Sequence, residues 1–148
     1  MKLVCSDLEG VLVPEIWIAF AEEQGIPQLK RTTREEPDYN KLMEYRLHYL
    51  KKNHLTLPEI QATIKKIHPF PGAMEFLDKL RPLTQIVIIS DTFTQFASPL
   101  MRRLGWPTIL CNELVTNKRG EITGWHMRAS NSKYKTVTAF QFIGYDTI

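Results

Sequence analysis

Two acidic residues lie two apart near the start of the chain, in Ser6-Asp7-Leu8-Glu9-Gly10, directly after the short apolar stretch 2–6. A second apolar stretch, 85–89, stops at Ser90-Asp91-Thr92. A carboxylate leaving a strand and another two residues on can reach one cavity. Such a pair suits a nucleophile and a general acid/base, with a cation to screen them. Oxygen ligands favour Mg2+. The Ser90 hydroxyl can donate to a phosphate oxygen, and Lys133, near the start of the last expected helix, can neutralise the same group. Each residue also has a plainer reading. Asp7 would cap a turn, Glu9 would be solvated, Ser90 would cap the next helix and Lys133 would be a surface charge. Their placement together at the ends of two buried strands favours the chemical reading.

The elements that place these residues follow from periodicity and punctuation. Residues 2–6 read as a buried strand. Residues 15–24 read as a helix with Ile16, Ala19 and Phe20 inward and Gly25 as its stop. Asp38, after Pro37, is an N-cap for a helix to about Lys52. Tyr39, Leu42, Met43, Leu47 and Leu50 form its apolar stripe, and Arg46 falls on that stripe. A charge there either snorkels to water or meets an anion. Thr56-Leu-Pro-Glu59 is a capping box, and its helix carries Ile60, Ile64 and Ile67. His68-Pro-Phe-Pro-Gly72 then breaks the chain between two lobes.

Residues 73–81 are expected to be helical with Ala73, Phe76, Leu77 and Leu80 inward. Gln85–Ile89 is β-branched and apolar beyond its first residue, as in a strand covered on both faces of a parallel sheet. A helix starting near Phe93 follows, with Phe96, Leu100, Met101 and Leu104 inward and Gly105 as terminator. Residues 108–111 form a third short strand, and 114–116 with 121–127 a hairpin across Asn117–Gly120. Residues 133–143 are helical, and 145–148 begin another strand. The order predicts an open α/β sheet, parallel at its core. Residues 13–71 form a helical lobe inserted after the first strand, leaving 1–12 and 72–148 as the core. In such sheets ligands bind beyond the carboxyl ends of the strands, where Asp7 and Ser90 lie.

Composition narrows the classes. At 148 residues, 43% hydrophobic and 24% charged, the chain has the profile of a globular protein and not of a disordered chain, coiled coil or collagen-like repeat. No apolar run approaches the roughly 20 residues of a membrane span. Nineteen Lys and Arg against sixteen Asp and Glu give +3, too mild for nucleic acid or an anionic membrane as main partner. Cys5 and Cys111 are too few for a disulfide framework and fit a reducing compartment. The start MKLVCSD is no signal peptide, so a cytoplasmic location is expected. The four histidines lack metal-ligand spacing, and Trp17, Trp106 and Trp125 read as packing residues.

The stretches DLEGVLVPEIWIAFAEEQGI and IVIISDTF, and the order between them, resemble the haloacid dehalogenase superfamily of phosphotransferases. The resemblance is closest to phosphoserine phosphatases, in particular the phosphoserine/homoserine phosphotransferase subgroup, whose first motif is similar to DLEGV with Glu9 where most members have Asp. It extends over nearly the whole chain, including SPLMRRLGWPTILCNEL. It implies a Rossmannoid parallel core with a helical cap, and Mg2+-dependent hydrolysis or transfer through an aspartyl-phosphate, in serine biosynthesis or threonine metabolism. Asp7 would be the nucleophile and Glu9 the acid/base. The Asp7 carboxylate and the Glu9 backbone carbonyl would bind Mg2+. Ser90 and Lys133 would hold the phosphate, with Lys135 as the alternative lysine. Glu15 and Arg46 would bind the amino acid, and Met43 would line the same pocket. The implied small-molecule partners are O-phosphoserine and, as an acceptor alternative to water, homoserine.

The superfamily carries a fourth motif, an acidic GDxxxD-type cluster that supplies a Mg2+ ligand, after the strand beginning near Tyr145. This sequence stops at Tyr145-Asp-Thr-Ile148, and Asp146 is too early in the strand for that role. The expectation is a core incomplete at its C-terminus, with a weakened metal site and a sheet edge open to self-association. The missing motif favours one alternative, an inactive fragment that binds a phosphorylated amino acid or a partner chain; a further reading keeps the enzyme and the superfamily but changes the substrate to another small phosphate ester.

Overall fold

The computed structural model describes residues 1–148 as a five-stranded sheet with helices on both faces. Strand β1 is Lys2–Ser6. Helices α1 (Ile16–Gln24), α2 (Tyr39–Lys52) and α3 (Leu57–Ile64) follow without an intervening strand, then α4 (Ala73–Leu80). The chain continues through β2 (Gln85–Phe93), α5 (Thr94–Met101), β3 (Ile109–Thr116), β4 (Ile122–His126), α6 (Ser132–Phe142) and β5 (Asp146–Thr147). The spatial order is β4-β3-β2-β1-β5. All neighbours are parallel except β3 and β4, which form the antiparallel hairpin. The α/β expectation with a parallel core therefore holds.

Alternation along β2 divides the interior. Ile88 joins a cluster of 24 buried apolar residues, contributed by the loop after β1 and by α1, α2, α3, α4 and α5 among others. Val87 and Ile89 point to the opposite face, where with Leu3 they pack against Val137, Phe140 and Tyr145 from α6 and its exit. A strand that is apolar on both sides is what this two-faced cover requires.

The helix ends follow local chemistry. The Asp38 carboxylate accepts the backbone N–H groups of Asn40 and Lys41 at 3.0 and 3.3 Å. Glu59 accepts from the Thr56 N–H and hydroxyl, both at 2.8 Å, closing the expected capping box. Gly25 caps α1 in the left-handed region at φ 66°.

Three elements differ from the sequence expectation. The second strand does not stop at Ile89 but runs to Phe93, with a register irregularity against β3 between Ile89 and Phe93. A bulge carries the polar Ser90-Asp91-Thr92 segment without ending the strand. The third strand and the first hairpin arm are one continuous strand, because Asn112, only 1% exposed, satisfies its amide within the fold. It donates to the Asp91 carbonyl at 3.0 Å and accepts the Arg128 N–H at 2.9 Å. In α4 the buried stripe is Ala73 and Leu77, and Phe76 is 49% exposed, not inward.

Candidate active site

Parallel pairing sets Ser6 opposite Ile88. Asp7 and Ser90 thus lie at one rim of the sheet, past the carboxyl ends of two adjacent strands. A cavity of about 320 Å3 opens there. The loop after β1 contributes Asp7 and Glu9, and β2 contributes Ser90, Asp91 and Thr92; Glu15, Trp17, Tyr39 and Arg46 come from α1, α2 and the N-cap of α1; Thr32, Thr33 and Lys133 complete the wall. A larger hollow of about 510 Å3 lies between α2 and β4 and contains none of the residues singled out for chemistry.

Asp7 is held at both oxygens. Oδ1 accepts the Leu8 N–H at 2.7 Å, and Oδ2 accepts the Lys133 ammonium at 2.5 Å. Lys133 Nζ is also 4.0 Å from Asp91 Oδ2, so one cation stands between two carboxylates. The N-terminus of α6 is fixed against the same acid, because the Ser132 hydroxyl donates to Asp91 Oδ1 at 2.9 Å. Lys135 faces elsewhere and donates to Ser130 Oγ at 2.9 Å. Between the two lysines the structure brings Lys133 to the site.

The loop after Asp7 is folded tightly, which fixes Glu9. Leu8 and Val13 are fully buried, and Gly10, at φ 75°, donates its N–H to the Val13 carbonyl at 2.8 Å. Glu9 Oε1 accepts the Ile16 N–H at the start of α1, at 2.9 Å. Burial pushes the Glu9 carboxyl up to about 7 against its ordinary 4.5. The Ile16 bond and the Arg46 charge oppose the shift, while Asp7 and Glu15 add to it. A carboxyl near 7 exchanges a proton in either direction at neutral pH.

The shift makes a stability prediction. Between about pH 4.5 and 7 folded Glu9 keeps a proton that the unfolded chain releases, so its contribution falls as pH rises through that window. The full change is on the order of 3 kcal/mol. In metal-free buffer Glu9→Gln removes this loss. The variant is expected to gain on the wild type progressively from pH 5 to pH 8 in urea unfolding. Parallel curves across that range would show that Glu9 titrates normally.

Ser90 is 1% exposed, and its Oγ accepts the Thr92 N–H at 3.3 Å. Its hydroxyl proton is free for a ligand in the cavity. Glu15, at the N-cap of α1, is exposed and lines the opening.

Arg46 does not snorkel. It is 6% exposed. One terminal nitrogen donates to the Arg31 carbonyl at 2.9 Å, the other lies 4.0 Å from Met43 Sδ, and Nε has no partner. No carboxylate pairs with it; burial lowers its pKa to about 10, although Tyr39, Glu9 and Glu15 favour its charge. A buried guanidinium without an anion is costly in the free protein and poised for an anionic ligand. Met43 is fully buried beside Arg46 and is not among the residues that line this cavity.

Several wall residues escaped the sequence reading. Asp91 lay in the recognised Ser90-Asp91-Thr92 segment but was given no role. Tyr39 was read only as part of the α2 stripe, yet its hydroxyl reaches the Asp91 carbonyl at 3.4 Å and burial raises its pKa. Its i,i+7 spacing to Arg46 was the available signal. Trp17 was read as packing, and Thr32 and Thr33 carried no signal.

No three His, Cys, Asp or Glu side chains converge as a group able to hold a metal. The donors at the rim are nonetheless all oxygen. That fits Mg2+, which commonly takes one or two carboxylates and completes its shell with substrate oxygens and water.

No family model matches the chain. It is 49% identical over 148 residues to a phosphoserine phosphatase of Pseudomonas syringae pv. tomato, spanning all of this chain and 62% of that protein. It is also 49% identical to phosphoserine phosphatase ThrH of Pseudomonas aeruginosa, of which it spans 72%. Among solved structures, a phospho-aspartyl intermediate analogue of phosphoserine phosphatase superposes with a TM-score of 0.78 at 22% identity, covering 99% of this chain and 75% of that one. A substrate-bound phosphoserine phosphatase complex gives 0.78 at 21% identity, with the same coverage. At that identity the structures speak for the fold.

Proposed function

The chain belongs to the phosphoserine phosphatase family of the haloacid dehalogenase superfamily, and on that premise we propose that it cleaves the phosphate monoester of O-phosphoserine through an aspartyl-phosphate on Asp7. One observation carries this reading: two acids, a buried hydroxyl and an ammonium share a cavity with a buried guanidinium that has no anion.

An Asp7 carboxylate oxygen attacks phosphorus, and the bond from phosphorus to the serine oxygen breaks. Protonated Glu9 gives its proton to that oxygen as serine leaves. The Glu9 carboxylate then takes a proton from water, whose oxygen attacks phosphorus and releases phosphate with Asp7 restored. A hydroxyl of homoserine in place of water makes the same second step a transfer. Lys133 exchanges Asp7 for phosphate oxygens as substrate enters, and Ser90 donates to another. Arg46 pairs with the substrate carboxylate, where its planar donors suit a bidentate contact. Glu15 meets the substrate ammonium. The Asp7 carboxylate and the Glu9 backbone carbonyl would hold Mg2+, which supplies positive charge beside the phosphoryl group. We read residues 13–71 as a cap that closes over the core of 1–12 and 72–148 and limits water at the site.

The test is phosphate release from O-phosphoserine by the 148-residue chain, with Mg2+ and with chelator, and with homoserine added as acceptor. Release is expected only with the metal, and phosphohomoserine in the homoserine arm marks transfer. Absence of metal-dependent release would overturn the assignment of activity to this chain.

A further inference from the structure

Arg46 keeps its charge while enclosed, and the surrounding side chains account for how. The guanidinium carbon lies 4.5 Å from the centroid of the Trp17 ring, a cation–π contact. Trp17 is itself 8% exposed and forms part of the cavity wall. Its plane is fixed by two aromatic edges. The Phe96 centroid is 5.2 Å away at 63°, and Phe20 is 6.5 Å away at 85°. Phe96 in turn packs edge-on against Phe93 at 5.8 Å. Phe20 and Phe96 are 1% exposed and Phe93 is fully buried, so the indole is braced from α1 and α5 and has no room to turn.

We propose that Trp17 is a positioning residue that sets carboxylate selectivity through Arg46: its face carries the guanidinium when no anion is bound and holds the plane in one orientation, leaving the unpartnered Nε for an incoming carboxylate. The proposal rests on the reading above, in which Arg46 receives the substrate carboxylate. An aromatic face serves here where a carboxylate would not. A Glu or Asp beside Arg46 would satisfy the charge but would compete with the ligand, whereas the ring stabilises the cation and occupies none of its N–H donors. With the Arg31 carbonyl on one terminal nitrogen, the guanidinium is oriented before substrate arrives. Preorganisation of this kind lowers the ordering cost of binding.

The test is equilibrium binding by calorimetry in the full chain carrying Asp7→Asn, so that ligand is not turned over. The two ligands are O-phosphoserine and O-phosphoethanolamine, which lacks only the carboxylate. Adding Trp17→Leu is expected to weaken phosphoserine about tenfold, equivalent to about 1.4 kcal/mol, and to change phosphoethanolamine less than about twofold. Trp17→Phe, which keeps a weaker aromatic face, falls between and serves if the Leu variant does not fold. In an Arg46→Ala background neither Trp17 substitution changes either ligand, a non-additivity that a packing role would not produce. Equal weakening of both ligands, or an unchanged preference, would overturn the proposal. If the Asp7→Asn chain with Trp17 intact shows no preference for phosphoserine, the Arg46 reading fails, and the Trp17 proposal with it.

Discussion

Asp7→Asn is expected to lower phosphate release from O-phosphoserine on the order of 10^4-fold or more, with little change in stability. An amide has nearly the shape of the carboxylate and still accepts the Leu8 N–H, but it does not form the aspartyl-phosphate. The ion pair that is lost is half exposed, with the Lys133 and Asp7 side chains 46% and 35% accessible. A pair so open to water is worth well under about 1 kcal/mol. Activity and stability should therefore separate cleanly, the first read by phosphate release and the second by thermal unfolding. Mass spectrometry of the quenched reaction should show a phosphoenzyme in the wild type and none in the variant. A variant that retained more than a tenth of the rate would show that Asp7 is not the nucleophile. The next carboxylate to examine would then be Asp91, which shares the Lys133 ammonium.

How much of this was legible in the sequence depended on the range of the interaction. Asp38, Thr56 with Glu59, and Gly25 work within a turn, and each acts as its local chemistry predicts. The strand at Gln85–Ile89 was visible because a sheet covered on both faces demands apolar residues on both sides. Its end was misplaced because Asp91 and Asn112, from different strands, satisfy each other, and no local rule marks that. The choice between Lys133 and Lys135 awaited the phase of α6. Residues two apart on a helix point about 200° away from each other, and the Ser132–Asp91 bond sets which one faces the rim. Arg46 announced itself as a charge on an apolar stripe. What holds it, Trp17 from another helix and the Arg31 carbonyl from a loop, is long-range and had no signature in spacing. Phe76 was misread for the opposite reason: helical periodicity places it near the inner face, but α4 buries only the narrower stripe of Ala73 and Leu77.

Arg46→Ala is expected to reduce kcat/KM for O-phosphoserine by about 30-fold to 10^3-fold or more, the effect of removing one partner from a desolvated charge pair. A carboxylate-free aryl phosphate should lose much less, because Asp7, Glu9, Ser90 and Lys133, which act on the phosphoryl group, remain. The free protein should not be strongly destabilised. Truncation removes packing and the Trp17 contact, but also a buried charge with no anion and an unpartnered Nε. These contributions oppose each other, in contrast to a buried ion pair, where losing one partner strands the other. Arg46→Lys separates charge from shape. It restores the cation without the planar fork, so it should recover only part of the phosphoserine rate. The substitution also feeds back on Glu9, since Arg46 holds that carboxyl below where burial alone would put it. Without the guanidinium Glu9 should stay protonated to higher pH, and the difference in stability from wild type should widen above pH 7. Equal losses on phosphoserine and the aryl phosphate would mean that Arg46 supports the cavity without reading the carboxylate. A phosphoserine-selective loss with the expected response to Lys assigns it to the carboxylate.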